Sequence, residues 1–199
     1  MVWRDPADIE RDRQVRWRAV VVWAVFALLL GAALGAQVWV PQMSRLPLGP
    51  PVSAGSLTAQ VPEDWKATTS PQPPQIAAES PPGGAAQRLE ISLLRGPEHL
   101  SMLGLLESRH EEAPLLEVRT NLKVEGRPAA MITVGGLAAL GPSKSAIELY
   151  ISAMAIQYEP GVYVVVELQR RGSWNNADAI VVQQIADTVR LSGPEDDLE

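Results

Sequence analysis

The side chains best suited to metal chemistry lie in one predicted helix. Glu107, His110 and Glu111 are spaced i, i+3 and i+4, so a helix would place all three on one face. Carboxylate and imidazole groups in that arrangement could supply two or three ligands to a metal ion. A solvated helix face has the same pattern, and the chain's other histidine, His99, would lie about 16 Å away along a helix. We therefore predict no metal site.

Other kinds of chemistry lack the residues that they need. The chain has no cysteine, so it offers no thiolate, no disulfide and no covalent c-type haem site. It has no G-x-S-x-G motif, and its Glu and Asp residues form no candidate catalytic pair. The stretch 136–145 superficially resembles a phosphate loop, but its lysine comes too late and Pro142 removes an amide donor. The sequence predicts no catalytic residue and no cofactor, and hence no enzyme.

Residues 19–40 form an apolar run of 22 residues whose single polar side chain is Gln37. As one helix, this run would be about 33 Å long, enough to cross a bilayer core of about 30 Å. Five arginines precede it, and Arg45 is the only basic residue that follows it closely. This bias predicts a single pass through the plasma membrane, with the N-terminus cytoplasmic and the C-terminal domain outside. The predicted interface anchors are Trp17, Trp39, Arg16 and Arg18.

The same residues allow a second interpretation, a cleaved signal peptide with Ala33 and Gly35 before the cleavage site. If the run is retained as a helix, the small residues Ala27, Gly31 and Gly35 recur every four positions and form one smooth face. This face predicts contact with another transmembrane helix, although such residues are common in membrane helices. The predicted partners are therefore a membrane protein complex or another transmembrane helix, together with the lipid bilayer.

The region beyond the apolar run is acidic. Residues 46–199 carry 11 basic and 19 acidic side chains, and the whole chain has a net charge of −6. An acidic domain repels phosphate backbones, so nucleic acid is excluded as a partner.

The pattern of prolines and charges divides the chain into five parts. We predict a cytoplasmic tail over 1–18, a transmembrane helix over 19–40, a proline-rich linker over 41–55, one domain over 56–191 and an acidic tail over 192–199. A second proline-rich stretch, 70–84, is predicted to be a loop outside the core.

Alternating apolar and polar residues predict the strands of this domain, at 57–61, 89–93, 116–124, 130–134, 147–153 and 162–168. Helical spacing predicts helices over 98–112 and 174–191. Pro160 and Gly161 suit the central positions of a type II turn, which makes the last two strands the clearest hairpin. Consecutive antiparallel strands with helices between the runs are typical of an α+β domain.

This order of elements resembles the PsbP-like α/β/α sandwich, a family that also includes a Ran-binding nuclear import factor and exported bacterial proteins. The motifs are VPEDW at 61–65, EGRPA at 125–129 and IADTVRL at 185–191. The resemblance implies a non-enzymatic module that binds proteins or stabilises larger complexes, including photosynthetic ones. The predicted fold is thus α+β, with a single N-terminal transmembrane helix followed by a PsbP-like sandwich whose sheet is mostly antiparallel.

Together these features predict an accessory or stabilising subunit of a larger membrane protein complex, photosynthetic or respiratory. The candidate partner surface contains Trp65 and Trp174, because exposed tryptophans often anchor interfaces. The other interpretation is that both are half-buried parts of the core. The alternative function is the binding of a small apolar ligand in a cleft beside the valine-rich strand 162–166.

Overall fold

A computed structural model describes residues 21–27, 45–83, 85–140, 145–173 and 175–192, with the backbone alone for 137–140 and 145–147. The chain forms two compact units, Met1–Met43 and Ser44–Glu199. In the first unit, residues 21–27 are helical (α1). Within α1 the edge of one aromatic ring meets the face of the other, with the centroids of Trp23 and Phe26 6.1 Å apart.

The prediction of a membrane-spanning helix over 19–40 is wrong. Among the residues that the structure describes, none of the helices combines the length and the apolar character that a membrane crossing needs. The prediction inferred a continuous helix from apolar composition alone. The predictions of a single-pass protein and of a plasma-membrane location rested on that helix and are wrong with it.

The second unit is mostly antiparallel β-sheet with two short helices among its described residues. The elements are β1 (Leu48–Ala54), β2 (Leu57–Pro62), β3 (Lys66–Thr69), β4 (Ile76–Glu79), β5 (Gln87–Arg95), α2 (Met102–Arg109), β6 (Leu115–Val124), β7 (Arg127–Leu140), β8 (Ser145–Glu159), β9 (Val162–Arg171), α3 (Ala177–Ala186) and β10 (Arg190–Leu191). A seven-stranded sheet has the order β3-β4-β5-β9-β8-β7-β6, and a three-stranded sheet has the order β1-β2-β10.

The centre of the large sheet is the hairpin of β8 and β9, extended by β5. Val166 pairs with Met154 on one side and with Ile91 on the other. Gly161 has a φ of 77°, as the third residue of a type II turn requires. Val164, Val165 and Val166 are all fully buried, so this strand has covered residues on both faces.

The two faces of the large sheet are covered differently. On one face α3 and the three-stranded sheet enclose the main core, which includes Leu57, Ile76, Met154 and Ile185. On the other face α2 encloses a smaller core around Leu106. The predicted α/β/α sandwich is therefore wrong, because one covering layer contains a second sheet and the other is a helix of only 8 residues.

Several elements lie where the sequence predicted none. β1 falls inside the predicted linker, and its prolines are tolerated because β1 is an edge strand. β4 falls inside the predicted loop 70–84 and buries Ile76 and Ala78. The last helix ends at Ala186, and β10 then pairs with β2.

Candidate functional site

Of the residues predicted for the partner surface and the membrane, the structure describes Trp65 and Ala27. Trp65 is partly buried and packs against the main core. Ala27 is exposed on α1. The remaining predicted positions lie outside the described residues, namely Trp174, Gly31, Gly35, Trp17, Trp39, Arg16 and Arg18. The predicted helix partner and lipid contacts therefore stay untested predictions.

The imidazole considered for metal binding instead contacts a buried carboxylate. His110 Nε2 lies 3.0 Å from Oε1 of Glu167, a residue of β9. Within the described part of the chain, no three His, Asp or Glu side chains are grouped so that they could hold a metal ion.

Glu167 is the centre of an ion cluster beneath the end of α2. Its side chain is buried, and Arg109 donates two hydrogen bonds to it, Nε to Oε1 at 2.9 Å and Nη2 to Oε2 at 3.0 Å. Burial acts to raise the pKa of Glu167, but the hydrogen bonds from His110 and Arg109 outweigh burial and lower the pKa to about 2. The carboxylate is ionised and fully engaged, so it anchors α2 on the sheet and is not available as an acid or base.

A second ion pair attaches α3 to the opposite face. Arg170 donates from Nε and Nη2 to the two carboxylate oxygens of the buried Asp178. Gln87 donates a further hydrogen bond to Asp178 at 3.2 Å. Both ion clusters have their charges internally paired, which is typical of structural rather than reactive groups.

The unusual surface of the second unit is on β6. Leu115 and Leu116 are each 49% exposed and Val118 is 41% exposed, and in the described part of this unit they are the only large apolar side chains so exposed. β6 is also an edge strand that pairs with β7 on one side alone in the described sheet. The opposite edge, β3, is a polar strand of 4 residues. One edge of the sheet is thus long and has three exposed large apolar side chains, while the other is short and polar.

Two irregularities shape β6. The register with β7 shifts between Leu115 and Glu117 and again between Arg119 and Leu122. At the first bulge Leu115 pairs with Val134, on the side of α2, whereas Leu116 lies over Gly135 on the other side of the sheet. The bulge therefore exposes adjacent leucines on both sides of the edge.

Gly135 is required by this packing. A Cβ atom at this position would lie 2.8 Å from Cε1 of Tyr150 and 3.0 Å from Cδ1 of Leu116. The absence of a side chain lets the Tyr150 ring and the Leu116 side chain lie directly on the strand.

An apolar groove of about 710 Å³ runs beside this edge. It lies between the segment after α2 and strands β6, β7 and β8. Its apolar walls include Pro114, Leu116, Val134, Leu149 and Ile151. We refer to Leu115, Leu116 and Val118 with this groove as the β6 surface.

The strand beside which the sequence predicted a cleft, 162–166, has its central valines fully buried. The valines there are apolar on both faces because α2 covers one side and the main core covers the other. The apolar groove lies instead at the end of the sheet.

The β6 surface was missed by the sequence analysis, which predicted the strand but not its exposure. Alternating apolar and polar residues identify the two faces of a strand, but they do not show whether another layer of the protein covers either face. One feature of the sequence could have indicated this exposure. Leu115 and Leu116 are adjacent apolar residues that interrupt the alternation.

Comparison with known proteins identifies no family for this chain. No protein-family model and no curated protein matches the chain. A crystal structure of a protein from Bacteroides thetaiotaomicron is similar over 70% of this chain and 46% of its own length, at 10% identity and a TM-score of 0.46. LpqN, involved in cell envelope biogenesis of Mycobacterium tuberculosis, is similar over 71% of this chain and 90% of its own, at 14% identity and a TM-score of 0.41.

The chain thus spans less than half of the Bacteroides protein. At these identities the similarity concerns the fold alone. The comparisons do not confirm the resemblance to the PsbP-like family.

Proposed function

We propose that this chain is a non-enzymatic protein-binding domain and that the β6 surface is its binding site. It acts as an accessory or stabilising subunit of a larger protein complex. The observation that carries this proposal is the concentration of exposed Leu115, Leu116 and Val118 on a single edge strand.

Two kinds of interaction are available at this edge. An edge strand offers unpaired backbone N–H and C=O groups to a strand of another chain. Exposed apolar side chains add a driving force of about 25 cal/mol for each Å² that a partner covers. Exposed apolar side chains on a long edge strand are an aggregation hazard, which favours the use of this edge as an interface.

The pairing of both buried carboxylates is consistent with a binding role. The buried carboxylates of Glu167 and Asp178 are held in ion pairs by Arg109 and Arg170. The finer proposal, that the domain is a PsbP-like module, rests on the order of elements and motifs in the sequence.

The proposal is tested by the native size of the protein in gentle cell extracts. The test variant combines Leu115→Ser, Leu116→Ser and Val118→Thr, which keeps the strand but removes its apolar contacts. We expect the wild type to migrate as a complex and the variant to migrate as a single chain. Thr68→Ser on β3, the opposite edge, is the matched control and keeps the wild-type size.

Thermal melting separates loss of binding from loss of folding. The three side chains are already about half exposed, so the purified variant is expected to melt within a few degrees of the wild type. A wild type that migrates as a single chain, or a folded variant that still migrates as the complex, would contradict the proposal.

The second candidate function is the binding of a small apolar ligand. The groove of about 710 Å³ favours it, because ligand sites commonly measure about 300–1,000 Å³. A wild-type single chain that carries a bound small molecule in native mass spectrometry would favour this function over protein binding.

A further inference from the structure

We propose that the partner of the β6 surface is a second copy of this chain. The two copies join through antiparallel pairing of their β6 strands, with Val118 opposite Val118 of the partner subunit. This inference rests on the proposed protein-binding role of β6 and names its partner.

The charges of β6 are complementary to themselves in this arrangement. Glu117 and Arg119 lie two residues apart and therefore on the same face, where Arg119 Nε is 2.7 Å from Glu117 Oε1. Their side chains are 34% and 43% exposed, so both can reach a further partner. Antiparallel pairing about Val118 places Glu117 opposite Arg119 of the partner subunit, and Arg119 opposite Glu117 of the partner subunit. The four side chains then form a ring of alternating charges.

Pairing of the two β6 strands in a neighbouring register would not place opposite charges against each other. A pairing centred on Glu117 would place two carboxylates opposite each other, and one centred on Arg119 would place two guanidinium groups opposite each other. Like charges in directly opposed positions are destabilising. A slip by a single residue would place a charge against Val118 and turn the strand's faces over.

The bulges of β6 restrict the pairing to the same place. The register with β7 shifts just before Glu117 and just after Arg119, and Asn121 has a φ of 59°. β6 pairs regularly with β7 over 117–119 and over 122–124, and 117–119 is the segment that contains the exposed Val118 and the Glu117–Arg119 pair. This short segment has Val118 at its centre, so the symmetric register is the natural one.

Apolar contacts support the same arrangement. Val118 pairs with Ile132 of its own sheet and Leu115 pairs with Val134, so both side chains lie on the face that α2 covers in part. In the symmetric pair, each Val118 covers the other, and Leu115 of each copy lies next to this contact. The interface is isologous and closes as a dimer, which leaves the two polar β3 edges at the outside.

The test uses charge reversal in the purified full-length chain. Glu117→Arg and Arg119→Glu each create like-charge pairs across the symmetric interface, so each variant alone should weaken dimerisation at least about tenfold. An equal mixture of the two restores opposite charges at every position. We expect sedimentation analysis to find dimers in the wild type and in the mixture, and single chains in either variant alone. Lys66→Glu on β3 is the control reversal and keeps the wild-type dimer.

A cysteine placed at the symmetry axis tests the register. The natural chain has no cysteine, so Val118→Cys introduces the only thiol. Directly opposed Cβ atoms are about 4.5–5.5 Å apart, close to disulfide geometry. Mild oxidation should link the Val118→Cys copies. Thr120→Cys, which faces Leu116 of the partner subunit in this register, should remain unlinked, as should Thr68→Cys on β3.

The outcomes separate this inference from the proposed function. A wild type that stays a single chain at every concentration, or a mixture that associates no better than its components, would overturn the homodimer. If the β6 triple variant nevertheless loses its complex in cell extracts, protein binding stands and the partner is a different protein.

Discussion

At the scale of single residues, Glu167 is a buried carboxylate whose partners come from another element. It follows three buried valines in β9, and its charge is tolerated there because Arg109 and His110 reach it from α2. The sequence contained a signal, since a carboxylate within a run of valines needs a partner. It could not identify that partner, because Arg109 lies 58 residues away and only the packing of α2 brings it close.

The lowered pKa of Glu167 predicts a specific pH dependence. Its pKa of about 2 lies below the ordinary value of 4.5. A carboxyl group with a lowered folded-state pKa contributes its full stabilisation above the unfolded-state pKa and loses it as the pH falls to the folded-state pKa. We expect Glu167→Gln to lower the free energy of unfolding by about 3 kcal/mol at pH 7.

Denaturant titrations at several pH values measure this difference, which should shrink as the pH falls from 4.5 to about 2. Glu79→Gln is the matched control, because Glu79 pairs with Arg88 at an exposed position. Its effect should stay within about 0.5 kcal/mol at all pH values. A Glu167→Gln penalty that does not change with pH would show that the charge is not what stabilises α2.

At the scale of elements, turn residues and long alternating runs gave correct predictions of strands and turns. Pro160 and Gly161 correctly marked the β8–β9 turn, and alternation located both strands. β1 and β4 were missed because prolines within or beside them suggested loops, although edge strands and strand ends tolerate proline. α2 is shorter than its apolar spacing suggested, because Ser101 caps the helix through a hydrogen bond from the Gly104 amide.

The β8–β9 turn gives a prediction at this scale. Gly161 has a φ of 77°, and a Cβ atom there would lie 2.7 Å from the carbonyl oxygen of Gly96. Gly161→Ala therefore combines backbone strain with a clash against backbone that cannot move freely. We expect it to destabilise the domain by about 3 kcal/mol in denaturant titrations.

Gly126 provides the control for strain without a clash. Its φ is 81°, and a Cβ atom would meet nothing within 4 Å. Gly126→Ala should therefore cost about 1 kcal/mol. Equal penalties at the two glycines would mean that the contact between Gly161 and Gly96 adds nothing to stability.

At the scale of the whole molecule, the second unit combines a well-covered sheet centre with two unequal edges. The β3 edge is short and polar, whereas β6 exposes two leucines and a valine beside an apolar groove. The sequence identified the β6 strand but not its position at the edge of the sheet, because strand order depends on pairings between distant segments. The predicted partner surface contained Trp65 and Trp174. Trp65 is partly buried against the main core, and Trp174 lies outside the described residues.

The most direct test of the β6 surface as a protein-binding site is photo-crosslinking in living cells. A photoreactive phenylalanine replaces Leu116 on β6 in one variant and Thr68 on β3 in the other, so that the two edges of one sheet are compared. We predict that light links position 116 to a protein, a second copy of this chain if the homodimer is correct, while position 68 yields no matching adduct. Equal yields at both positions, or no protein adduct at position 116, would contradict the assignment of β6 as the binding surface.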